Sequence, residues 1–126
     1  AYIGNSKIAR GDVVVFDPPP TIDFEGKLVK RARGLPGDKV EVANGKLLIN
    51  DVPLAEPYVK EAIGYTMPAI IVPDNSYFMM GDNRNDSYDS HSWGFLDQSY
   101  VIGKASFVFW PIEHFKKLGS GIDAGN

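Results

Sequence analysis

The sequence predicts a mainly β fold: an antiparallel sheet or barrel system with short turns and little helix. Three observations lead there. Short β-branched and aromatic runs recur along the chain, bounded by proline, glycine and asparagine. Two of them, VEVA and KLLI, flank Asn44-Gly45, a pair suited to the positive φ angles of a tight hairpin. Only EHFKKL, residues 113–118, has a helical look.

Taken in order, VVVF (Val13 to Phe16) is a strand stopped by Pro18-Pro19-Pro20, which cannot extend a ladder. KLVKRA alternates, with Leu28, Lys30 and Ala32 on one face and Lys27, Val29 and Arg31 on the other. GLPGD (Gly34 to Asp38) reads as a turn, and VEVANGKLLIN as the hairpin. Asp51-Val52-Pro53 turns the chain again, and AIIVP, SYFMM and VIGKASFVFW supply further strands. GSGIDAGN, residues 119–126, reads as a flexible tail, so a single domain is expected over residues 1–118.

With 126 residues, the chain suits one domain. Net charge is −3 and the basic residues form no long run apart from Lys27 to Arg33, which argues against a nucleic-acid partner. No apolar stretch approaches the roughly 18 residues that span a bilayer. There is no cysteine, which excludes disulfide and thiol chemistry.

Two features point to a site. On the apolar face of KLVKRA the middle residue is Lys30. One reading is a snorkelling lysine at a sheet edge; the other is a desolvated amine. Burial disfavours the ammonium form and makes lysine a usable general base near neutral pH. The second feature is GDNRNDSYDSHSWG, Gly81 to Gly94, with three Asp, three Ser, an Arg, a His and a Trp between segments that want burial. A fold keeps such a buried polar cluster when its members are satisfied. The cluster could supply the hydroxyl that orients Lys30.

Three segments together, RGDVVVF, KRARGLPGD and GDNRNDSYDSHSWG, resemble type I signal peptidases, in that family's order and across roughly Arg10 to Pro111. His91, where many bacterial members have Arg, and GKLLINDVPLAEPYV are similar to cyanobacterial and plastid members. The resemblance implies a signal-peptidase-like β fold and a serine/lysine endopeptidase that removes signal peptides from exported preproteins. Cleavage would follow a small residue, with no metal or cofactor. It implies Lys30 as general base, Ser87 as the hydroxyl that orients it, and a salt-bridged scaffold pairing Asp82 with Arg31 and Asp89 with Arg84. The expected partners are signal peptides in extended conformation and the membrane surface. The catalytic domain would be anchored on the outer face: periplasm, extracytoplasmic side or thylakoid lumen. An extended substrate suits strand addition at an open edge beside Lys30, with Val15, Leu28 and Val29 walling a shallow apolar pocket or simply forming core.

The family's nucleophile stands in a Ser-Met-x-Pro context upstream of the GDVVVF-like strand, and no such motif occurs here. Ser6, in GNSKIA, reads as a loop residue. The expectation is therefore a fragment lacking the anchor and the nucleophile segment, inactive alone because a base without its nucleophile has no proton to take. The alternative is a non-catalytic peptide-binding module on the same scaffold. A self-cleaving repressor-type protease ranks last, lacking a DNA-binding domain. Ser90 and Ser92 beside His91 suggest a Ser/His arrangement, but neighbours on an extended chain point apart. His91 is expected to be a structural hydrogen-bonder at the rim and His114 a surface residue. Asp82, Asp86 and Asp89 lack the pattern of a calcium loop.

Overall fold

Alternation and turn chemistry produce two antiparallel sheets in the computed structural model, which describes residues 7–56, 61–85 and 87–105. The strands are β1 (Val13–Phe16), β2 (Leu28–Gly34), β3 (Lys39–Ala43), β4 (Lys46–Ile49), β5 (Val52–Pro53), β6 (Met67–Ile71), β7 (Ser76–Met80), β8 (Leu96–Asp97) and β9 (Val101–Lys104). One helical turn, α1 (Ser90–Trp93), and a 3₁₀ turn (Gln98–Tyr100) complete the described elements. The five-stranded sheet runs β8-β7-β2-β1-β9 and the four-stranded sheet β5-β4-β3-β6.

The β3–β4 hairpin closes on Asn44 and Gly45, with φ of 53° and 78°, as the sequence predicts. The next turn differs. Asn50 and Asp51 carry the positive φ angles, and Val52 and Pro53 form the short edge strand β5. Proline suits an edge because it needs no ladder partner for a missing N–H. In the GLPGD turn, Asp38 accepts bonds from the Leu35 N–H (2.8 Å), Arg10 (2.6 Å) and Asn50 (3.1 Å). Burial alone would raise its carboxyl pKa; these donors outweigh it and hold the group below its ordinary value. EHFKKL, residues 106–110 of the last expected strand and the 119–126 tail lie outside the described residues.

Two cores form, and β7 lies between them. Tyr77 and Met79 pack with Val14, Phe16, Leu28, Ala32, Trp93 and Leu96. Phe78 and Met80 pack with Val40, Val42, Leu47 and Ile49. Period-two alternation in a strand covered on both faces explains why all five residues of SYFMM are buried.

The register of β1 on β2 decides where Lys30 goes. Phe16 opposes Leu28 and Val14 opposes Lys30, so Lys30 shares the face of the first core. Val13 opposes Arg31 and Val15 opposes Val29, which puts Arg31 on the other face. Leu28 is therefore a core residue on the face opposite Val15 and Val29. This corrects the expected pocket, since the three side chains cannot form one wall. Nor is β2 an edge strand: β1 and β7 flank it. Its ladder with β7 starts at Arg31↔Met80, while residues 28–31 pair with β1.

Candidate active site

Beyond Met80 the chain leaves β7, and the polar segment folds back over the face that carries Lys30. The Lys30 side chain is buried, with the residue 1% exposed, which excludes snorkelling. Its Nζ donates to Ser87 Oγ at 2.9 Å. The hydroxyl oxygen accepts from the lysine, and this contact sets the direction of the amine. A neutral amine that gives one N–H to Ser87 retains a lone pair to take a proton.

Asp89 is fully buried, and burial pushes its carboxyl pKa up; the Gly81 and His91 N–H groups, the Lys30 charge and Ser87 oppose that rise. It accepts from Gly81 N at 3.0 Å and His91 N at 3.1 Å, and caps α1. Arg84 is not its partner. The Arg84 guanidinium instead forks onto Glu56, with Nη1 and Nη2 at 2.8 and 2.7 Å, while its Nε donates to the Gly81 carbonyl at 2.7 Å. The expected Asp89–Arg84 pair is corrected accordingly: backbone N–H groups satisfy the carboxylate, and the arginine turns to Glu56.

Asp82 and Arg31 do meet. Nε and Nη2 of Arg31 reach the two carboxylate oxygens at 3.0 and 2.9 Å, and Nη1 donates to Gly11 O at 2.8 Å. The pair neutralises the neighbouring cation on the face away from Lys30. Replacing Asp82 by Ala would leave a guanidinium that is only 19% exposed without its carboxylate. The expected cost is ~3 kcal/mol, at the lower end for a broken buried pair because Gly11 still accepts. Denaturant unfolding that matches the parent would reject this scaffold role.

The other polar residues are accounted for by the packing of the segment. Ser90 and His91 lie on a helical turn, not an extended chain as expected. Ser90 Oγ accepts from Met79 N at 2.8 Å, tying α1 to β7. Trp93 Nε1 donates to Tyr88 O at 3.1 Å. His91 stacks on Tyr65 with centroids 3.8 Å apart, its Nδ1 4.0 Å from Asp89 Oδ1. Burial pushes the Tyr65 phenol above its ordinary range. Asn85 accepts from Gly64 N at 2.5 Å and donates to Ala62 O at 3.1 Å. Ser6, Asp86 and His114 lie outside the described residues.

Sequence reasoning missed Gly81 and Glu56. A Cβ on Gly81 would stand 2.1 Å from Ser87 Oγ, 2.6 Å from Ser87 Cβ and 3.6 Å from Lys30 Nζ. This glycine is where two pieces of chain touch, and a glycine directly after a buried strand was the available signal. Glu56 lies within GKLLINDVPLAEPYV, but nothing in that stretch gives the carboxylate a partner. Among the described residues, no group of three His, Cys, Asp or Glu side chains could hold a metal, and no helix is long and apolar enough to cross a membrane.

Comparison with known proteins gives a family and a fold. Residues 2–110 match the family model described as signal peptidase, peptidase S26. The chain is 46% identical over 115 residues to a probable signal peptidase I-1 of Synechocystis sp., covering 87% of this chain and 59% of that protein. It is 44% identical over 105 residues to a probable chloroplastic thylakoidal processing peptidase 2 of Arabidopsis thaliana, covering 79% of this chain and 29% of that protein. A crystal structure of a signal peptidase I from Enterococcus faecalis aligns with a TM-score of 0.66 and 32% identity, covering 76% of this chain and 94% of that one. The chain thus spans at most about three-fifths of the length of these curated relatives. A match over residues 2–110, carried by a fold of the same shape, means that the chain belongs to the signal peptidase family.

Proposed function

We propose that this chain is the base-bearing core of a serine/lysine endopeptidase that removes signal peptides from exported preproteins. The observation that carries the reading is the buried Lys30 amine held by Ser87 at 2.9 Å. Lys30 takes the proton of an attacking serine hydroxyl and returns it to the leaving amine. Ser87 aims the amine, while Asp82 keeps the Arg31 charge on the far face. In this reading the attacking serine belongs to a further part of the longer protein, upstream of these residues, together with a membrane anchor. The core then works on the outer face of the membrane. The substrate enters as an extended strand beside β2 near Lys30, the strand that carries the base. The chemistry calls for no metal or cofactor.

The test is a peptide with Ala-x-Ala before the cut, in detergent. The chain alone should be inert, and should cleave when joined to its upstream serine-containing segment. Cleavage by the chain alone would show that the nucleophile lies within it and return attention to Ser6 and Ser90. No cleavage in either form would favour a peptide-binding module without catalysis.

A further inference from the structure

Glu56 lies outside all three sequence motifs, just after β5 on the second sheet. Yet its carboxylate is buried against two cations, Arg33 of β2 and Arg84 of the segment after β7. It forks onto Arg84 at 2.7 and 2.8 Å and lies 3.2 Å from Arg33 Nε, with the three side chains only 7%, 1% and 7% exposed. Arg33 stands on β2, three residues beyond Lys30; Arg84 stands three residues beyond Gly81.

The consequence follows from what Arg84 holds. Its three guanidinium nitrogens are all engaged: two on Glu56, the third on the Gly81 carbonyl. A planar guanidinium bonded on two edges cannot swing, so the Gly81 carbonyl is fixed in direction. The Gly81 N–H is fixed separately by Asp89. Both peptide groups of the residue that seats Ser87 against Lys30 are thereby clamped. Removing the Glu56 charge frees Arg84 to reorient, releases one of those clamps and loosens the 2.9 Å contact.

We infer that Glu56 is a positioning residue for the Lys30–Ser87 pair, acting through Arg84 and Gly81. This rests on the serine/lysine reading above. Unlike a residue that merely stiffens the fold, Glu56 should change how the base works.

The experiment uses the full-length enzyme carrying Glu56→Gln, which keeps the shape and removes the charge. Loss of about 1 Å of placement at a catalytic group lowers rate by about 10²-fold. A 10- to 100-fold fall in kcat is therefore expected, with KM changed less than threefold and the pH midpoint of the rate shifted. In a Ser87→Ala background the same substitution should cost much less, because the contact it protects is already gone. Glu56→Asp, which keeps the charge, should recover part of kcat and serves in place of Glu56→Gln if that variant does not fold. A folded variant with lower thermal stability but unchanged kcat and pH profile would overturn the inference. So would full additivity with Ser87→Ala. Lys30→Met, measured alongside, separates the two failures. If it stays active, the serine/lysine reading fails. If it is dead while Glu56→Gln behaves as the parent, only the role of Glu56 fails.

Discussion

Replacing Lys30 by Met in the full-length enzyme should abolish signal-peptide cleavage while leaving the fold intact. Methionine matches much of the lysine volume in a site where the residue is 1% exposed, so the packing around Leu28 and Ala32 has little reason to change. What disappears is the amine that donates to Ser87 and, when neutral, can accept a proton. A positioned general base contributes about 10²- to 10⁴-fold, and a loss of at least that size is expected. Lys30→Arg should fail as well, because a guanidinium stays protonated and cannot act as base. In the parent enzyme, activity should rise with pH as the lysine gives up its proton, since only the neutral amine is the base. Cleavage rates across a pH series, with circular dichroism on each variant, check all of this. Near-parental activity in a folded Lys30→Met enzyme would remove the lysine from the mechanism.

That Lys30 stands out at all shows which parts of the molecule are legible in the sequence. The strands and the Asn44-Gly45 hairpin depend on local chemistry, namely β-branching and positive φ angles, and the structure follows them closely. Lys30 interrupts an apolar alternation, a violation visible in a six-residue window. Alternation also separates Leu28 from Val29, since neighbours on a strand face opposite ways; a pocket shared by both was never compatible with it. The partner of Arg84 was beyond such reasoning. Inside a looped segment, sequence distance gives no direction, and Glu56 lies 28 residues earlier, in the stretch after β5. The helical turn at Ser90–Trp93 is too short to show a helical period.

The second large effect concerns Gly81, and it tests the contact between Lys30 and Ser87 from the other side. Gly81→Ala adds one methyl group at a place where it would stand 2.1 Å from Ser87 Oγ and 2.6 Å from Ser87 Cβ. The hydroxyl could rotate away, but Cβ is rooted in the backbone, so the Ser87 main chain must shift. Gly81 does not have a positive φ, so the penalty is steric and not conformational. Overpacking of this kind costs about 1–3 kcal/mol of stability, and displacing the group that aims the base should lower kcat by about 10²-fold. A second substitution separates the two effects. Ser87→Gly removes both crowded atoms, so the double variant Gly81→Ala/Ser87→Gly should recover most of the lost stability. It should not recover activity, because the hydroxyl that holds Lys30 is gone. Thermal unfolding and steady-state cleavage of the two single variants and the double variant supply every corner of this comparison. If the double variant unfolds as early as Gly81→Ala alone, the clash is not with Ser87. If Gly81→Ala cleaves at the parental rate, the lysine does not need the seat that this glycine provides.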